Sequence, residues 1–124
     1  MQAVLTTNTF EADASDAGVS EDEITSMVAW LSANPQAGAV MRGTGGARKV
    51  RFAGKGKGKS GGYRTIHYYG GDDVPIFLLA LIDKGERDNL SQAERNALAA
   101  ELSHLADDYR AGVAARLATL KRRI

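Results

Sequence analysis

The sequence predicts an α+β domain: a small, mostly antiparallel β-sheet with an N-terminal strand, one helix, a three-stranded meander and a long C-terminal helix. Three observations carry this. Residues 42–69, RGTGGARKVRFAGKGKGKSGGYRTIHYY, have two strand-like ends around a glycine–lysine stretch, which reads as a hairpin with a long tip. Residues 74–82, VPIFLLALI, are apolar on both faces, the pattern of a strand covered from both sides. Two capping boxes, Ser20-Glu21-Asp22-Glu23 and Ser91-Gln92-Ala93-Glu94, open stretches with helical apolar spacing. At 124 residues with 44% hydrophobic content, the chain can bury one core, and residues 1–124 are read as a single domain.

Taken in order, residues 2–10 (QAVLTTNTF) have strand composition, and residues 11–19 form a small, acidic connection. A helix runs from Ser20 to about Asn34, with Ile24, Met27, Val28 and Leu31 on one stripe, and Asn34-Pro35 stops it. Residues 35–46 are a loop. In the hairpin, Lys49-Val50-Arg51-Phe52 alternates basic and apolar, so Lys49 and Arg51 share one face while Val50 and Phe52 share the other. The return strand, residues 63–69, is rich in aromatic and β-branched residues. Between the two strands, residues 54–62 have too little side chain to fix a conformation, which predicts a mobile cationic tip. Gly70-Gly71-Asp72-Asp73 is a turn. The apolar strand that follows belongs in the middle of the sheet, with Pro75 tolerated near its start. After a charged turn at 83–89, Leu98, Leu102, Leu105, Tyr109, Val113, Leu117 and Leu120 hold one helical face from residue 91 to about 120. Such a helix spans about 45 Å at about 1.5 Å per residue, longer than this domain needs, so its end, AARLATLKRRI, projects or folds back.

Charge is distributed unevenly. Residues 42–69 hold eight of the sixteen basic residues and no Asp or Glu, whereas residues 1–41 carry six acidic groups and no Lys or Arg, for a net charge of +1. Local field matters more here than net charge, and a polyanion such as nucleic acid is the natural complement of the basic block. With the helices packed on one face of the sheet, the other face holds Lys49, Arg51 and Arg64, together with Lys84 and Arg87 from the charged turn. Grouped guanidinium and ammonium groups bind RNA phosphates and stabilise charge that accumulates on a phosphorane. Arg48 and the tip lysines Lys55, Lys57 and Lys59 add phosphate affinity without taking part in cleavage, acting as screened point charges. The plainer reading, on equal footing at this point, is a basic patch that raises solubility or pairs with the acidic N-terminal region.

Other chemistries find little support. There is no cysteine and only two histidines, so no metal site or cofactor is expected. His67 reads either as an RNA-binding or general-base residue or as a structural histidine among aromatics. Gly58-Lys59-Ser60 matches the end of a phosphate loop, but the stretch leads into a strand rather than a helix, and Ala53 stands where the motif needs its first glycine. No apolar run is long enough to cross a membrane and no signal peptide opens the chain, so a cytoplasmic protein without membrane contact is expected.

Three segments together resemble the RelE/HigB-type toxins of bacterial type II toxin–antitoxin modules, and the HigB-like branch above all. They are Asn34-Pro35 with residues 43–52 (GTGGARKVRF), residues 56–66 (GKGKSGGYRTI), and residues 83–90 (DKGERDNL) closing the apolar strand. The resemblance covers most of the chain. It implies a RelE-like fold, binding at the ribosomal A site, cleavage of translated mRNA through the RNA's own 2′-hydroxyl, and a cognate helix-turn-helix antitoxin. On the matching positions it implies roles for Lys49 and Arg51 in the second strand, Arg64 in the third, and Lys84 and Arg87 in the turn. Members with a catalytic Tyr or His just beyond the last strand differ from this chain, which has Asn89-Leu90-Ser91 there. A ParE-like inhibitor of DNA gyrase and a non-toxic RNA-binding module are the alternatives.

Overall fold

The computed structural model describes residues 1–54 and 62–123, with side chains up to residue 120. The tip lysines Lys55, Lys57 and Lys59 lie outside the described residues. The elements are β1 (Val4–Thr6), α1 (Asn8–Asp16), α2 (Glu21–Ala33), β2 (Ala39–Val40), β3 (Arg48–Phe52), β4 (Tyr63–Tyr68), β5 (Ile76–Asp83), α3 (Gln92–Leu102) and α4 (Leu105–Arg123). One five-stranded sheet has the order β1-β5-β4-β3-β2. Only the β1–β5 pair is parallel; the others are antiparallel. This is the expected α+β class with a mostly antiparallel sheet.

The N-terminus departs from the expectation of a nine-residue strand. β1 has three residues, and Thr7 turns the chain into α1 instead. Its backbone N–H donates to Leu78 O at 3.1 Å, its hydroxyl lies 3.1 Å from both Leu78 O and Leu79 O, and the same oxygen accepts from Phe10 N at 3.2 Å. One side chain therefore caps a helix and closes a strand. The helix buries Phe10 and Ala14, one turn apart, against the sheet. β1 pairs only with Ile76, Phe77 and Leu78, which leaves the β5 edge open further along. There Asp13 of α1 accepts from Leu81 N at 3.0 Å, satisfying a backbone donor that would otherwise lack a partner.

The capping boxes at Ser20 and Ser91 form as expected. α2 buries Met27 and Leu31. α3, however, ends at Leu102, so the predicted 91–120 helix is two helices joined at Ser103-His104. At the joint, His104 N donates three residues back, to Glu101 O, at 3.4 Å. Leu105 and Ala106 remain in the core, while α4 beyond them is exposed.

Helices cover both faces of the sheet, not one. On the first face Phe10, Ala14, Met27 and Leu31 pack against Val50, Tyr63, Leu78 and Leu81. On the second, Leu98, Leu102, Leu105 and Ala106 pack against Ile66, Phe77, Ala80 and Ile82. β5 is buried on both sides as predicted, but the middle strand is β4, whose first five residues are all buried although they include Arg64, Thr65 and His67. The hairpin neck is tight: a Cβ at Gly62 would sit 2.2 Å from Phe52 O, so only glycine fits where the chain re-enters the sheet.

Docking of α1 accounts for much of the first-face core. Replacing Phe10 by Ala should lower unfolding free energy by about 3–5 kcal/mol, measured by urea denaturation; an unchanged midpoint would show that α1 does not dock as described.

Candidate nucleic-acid interface

Register decides which cations meet. Arg51 lies opposite Arg64, and Lys49 opposite Ile66; Arg64 in turn lies opposite Ile82, and Ile66 opposite Ala80. Directly opposite residues point to the same face, so Lys49, Arg51 and Arg64 share the face that carries α3. They occupy the part toward the hairpin, while the helices cover the part toward β1. The expectation that the basic face would be free of helices is thus corrected to a basic strip beside them.

Exposure within the strip is graded. Arg51 is exposed, Lys49 half-buried, and Arg64 only 5% exposed. The Arg64 Nη1 donates to Tyr63 O at 3.3 Å. Among the described residues, none of these three side chains forms an ion pair with a carboxylate. A guanidinium so nearly buried, with no carboxylate in direct contact, is costly unless an anion completes it.

The turn after β5 joins the strip. Lys84 N donates to Gly62 O at 3.1 Å, which pins the turn to the start of β4 beside Arg64. The Lys84 ammonium pairs with Asp88. The hydrogen bond from Lys84 holds the Asp88 carboxyl below its usual range, and the fields of Lys84, Lys49 and Arg64 push the same way. Asp88 thus lies within the fields of Lys84, Lys49 and Arg64. Asp88 itself was not singled out from the sequence, where its one signal is the i,i+4 spacing from Lys84 in a charged turn.

The remaining predicted residues are placed elsewhere or otherwise engaged. Arg87 makes a two-pronged pair with Glu94 at 2.6 and 3.0 Å, and Glu94 also accepts from Ser91 N at 2.8 Å. Arg87, chiefly, holds the Glu94 carboxyl down to about 2. The pair ties the turn to the start of α3, so Arg87 is not free for a phosphate while it lasts. Arg48 points to the opposite face, where its Nη1 donates to Gln36 O at 2.9 Å and Gly38 O at 3.1 Å. His67 is fully buried on that same face. Its Nε2 lies 2.9 Å from Pro35 O, so the proton sits on Nε2, and Nδ1 has no partner among the described residues. Neither Arg48 nor His67 meets the strip. No three His, Cys, Asp or Glu side chains gather as a metal site among the described residues, and no described helix is long and apolar enough to cross a membrane.

The model of the RelE toxin family, described as the RelE toxin of the RelE/RelB toxin–antitoxin system, matches residues 2–123. The chain belongs to the RelE toxin family. The match spans the strip, both capping boxes and the whole of α4. RelE membership also means that this chain is one half of a toxin–antitoxin pair, with an antitoxin as its partner.

Burial pushes the His67 pKa down, outweighing the hydrogen bond to Pro35 O that raises it. The unfolded chain therefore takes up this proton more readily than the native RelE domain. The stability from neutral His67 is complete above about pH 6.5 and declines as pH falls toward the depressed native value, with a slope of at most about 1.4 kcal/mol per pH unit. His67→Gln, which keeps a donor for Pro35 O, should flatten the fall in unfolding free energy between about pH 6.5 and 5. Equal slopes for the two proteins would show that His67 titrates freely in the folded state.

Proposed function

We propose that this RelE-family chain is a HigB-like toxin that inhibits translation by cutting mRNA on the ribosome, and that the strip of Lys49, Arg51, Arg64 and Lys84 is its RNA-cleaving surface. The single observation that carries the reading is the shared sheet face of Lys49, Arg51 and the nearly buried Arg64, with the turn that bears Lys84 pinned beside it. Three groups from two adjacent strands and one from a pinned turn suit a bent RNA backbone better than a scattered surface charge does.

In this reading the RNA's 2′-oxygen attacks the adjacent phosphorus. The 2′-hydroxyl proton passes to water, the bond to the 5′-oxygen breaks and a proton from water completes it, leaving a 2′,3′-cyclic phosphate on one product and a 5′-hydroxyl on the other. Negative charge builds on the non-bridging oxygens of the phosphorane. Arg64, fixed by β4 and its neighbours, is the group suited to contact two of those oxygens through its planar fork. Lys49 and Arg51 hold the flanking phosphates, and Lys84, once drawn from Asp88, adds positive charge at the near end. Arg87 supports the turn through Glu94. Lys55, Lys57 and Lys59 supply salt-dependent affinity for the ribosome or its RNA. The cognate antitoxin, of the helix-turn-helix kind, neutralises the toxin by covering this face.

Preorganised charge of this sort is worth about 10² to 10³ in rate. Arg64→Ala should therefore cut single-turnover mRNA cleavage on programmed ribosomes by that factor without lowering the melting temperature. Arg64→Lys should recover part of the loss, since charge is kept and the fork is lost. Induced expression should stop protein synthesis first, with new mRNA ends visible by primer extension. Wild-type cleavage by a folded Arg64→Ala protein, or an arrest of DNA synthesis with translation intact, would overturn the proposal.

A further inference from the structure

Two more arginines meet at the far end of the basic strip. Residues 41–47 lead from β2 into β3, and Met41 and Ala47 at the two ends of this loop lie in the same core cluster as Ile66, the residue opposite Lys49. Ala47 therefore points to the face of Lys49 and Arg51, about 7 Å along the chain from Lys49 at about 3.4 Å per residue. Arg42, in the loop, is exposed, and Arg95 is half-buried on α3. The Arg95 Nη1 donates to Arg42 O at 3.0 Å, joining positions 53 residues apart. Among the described residues neither arginine pairs with a carboxylate, whereas Lys84, Arg87 and Arg110 each do.

The loop that carries Arg42 is firmly built. Thr44 is fully buried; its hydroxyl donates to Met41 O at 2.7 Å and accepts from Ala47 N at 3.0 Å, and Met41 N donates to Ala47 O at 2.7 Å. Gly45 has a φ of 79°, and a Cβ there would stand 3.4 Å from Ala99 Cα, so the loop lies flush against α3. These contacts hold the loop without help from the charge of either arginine. A guanidinium carries five N–H donors, and among the described residues one nitrogen of Arg95 is engaged. Two neighbouring cations without a counter-charge repel each other, and an anion shared by both removes that cost.

We infer that Arg42 and Arg95 form a second phosphate-binding site for an RNA backbone, at the end of the strip away from the hairpin. The inference rests on the RNA reading of the strip and extends it: positive charge runs from Arg51 and Arg64, past Lys49, to the seam between the loop and α3. Continuity with the strip favours a phosphodiester chain, whose charges recur at regular spacing, over an acidic protein segment. The phosphate belongs either to the mRNA beside the cleaved linkage or to ribosomal RNA alongside it. Both arginines stand apart from Arg64 and the phosphorane, so they contribute affinity and not the rate of the chemical step.

Binding of the full-length chain to programmed ribosomes tests it, with the mRNA 2′-O-methylated at the cleaved linkage so that it stays intact. Arg42→Ala combined with Arg95→Ala should weaken binding about tenfold or more at low salt, and the salt slope should shrink by about 0.7 for each phosphate let go. On unmodified mRNA the same variant should need more protein for half-maximal cleavage yet reach the wild-type rate at saturation, whereas Arg64→Ala should lose the rate itself. Arg42→Ala alone leaves the bond from Arg95 to the backbone in place, so it should show part of the loss with an unchanged melting temperature. Uncharged methylphosphonate linkages beside the cleaved one should weaken the wild type and not the double variant if the phosphate is the mRNA's; a wild type indifferent to them, with the double variant still weakened, assigns the site to ribosomal RNA. Unchanged affinity and salt slope in the double variant, beside an inactive Arg64→Ala, would overturn the inference and leave the strip standing. A lowered saturating rate would also overturn it, as would a weakened antitoxin complex with ribosome binding intact. Wild-type cleavage by folded Arg64→Ala would bring down the RNA reading and this inference with it.

Discussion

Arg51 and Arg64 stand opposite each other in the β3–β4 ladder, and like charges directly across an antiparallel pair repel. The repulsion is sharpened by burial, because Arg64 is nearly enclosed and its field is poorly screened there. A sequence shaped only for folding would place an aliphatic residue at 64, as it does at the facing Ile82. Much of the surrounding structure serves to hold this pair in register. β5 provides an apolar strand on one side, the glycine neck at 62 lets the chain re-enter without shifting β4, and the turn pinned by Lys84 closes the end.

The cations around the pair differ in how they are restrained, and restraint sorts their roles. Arg64 is fixed by its strand and its neighbours. Lys84 is held, among the described residues, by exposed Asp88, an interaction worth little in water, so its ammonium exchanges partners easily. Arg87 is held by a two-pronged bond inside a capping box, which makes it a brace for the turn. Arg48, although adjacent to Lys49, is turned by strand alternation to the other face and fastened to the loop before β2. Neighbours in sequence thus do different work because a strand sends them to opposite sides.

Much of this was legible in the sequence where local chemistry is strong. The capping boxes at Ser20 and Ser91, the apolar run of β5 and the alternation of β3 each fix an element nearly on their own. Lys49, Arg51 and Arg64 were legible as a group because the hairpin fixes which residues oppose one another. α1 was not, since Thr6-Thr7-Asn8-Thr9 reads as strand by propensity and the helix depends on Thr7 meeting β5, a contact about 70 residues distant in the chain. The break at Ser103-His104 was hidden because the apolar spacing runs unbroken through it, with Leu102, Leu105 and Ala106 all at the core. The second helical layer could not be read because β4, with Arg64, Thr65 and His67, looks half-exposed although it is the middle strand. Asp88 was overlooked because one acidic residue in a charged turn has no meaning until Lys84, Lys49 and Arg64 are placed around it.

If the Arg51–Arg64 pair is retained for an anion rather than for the fold, removing one charge should strengthen the fold while it destroys activity. The most direct measurement is the unfolding free energy of Arg64→Met against wild type, by urea denaturation at low and at high ionic strength. The account predicts a variant more stable by about 1 kcal/mol or more in low salt, as expected for relief of a like-charge contact and of a buried charge, with the difference shrinking in high salt. A variant less stable than wild type under both conditions would show that Arg64 holds the sheet together, and would contradict the account.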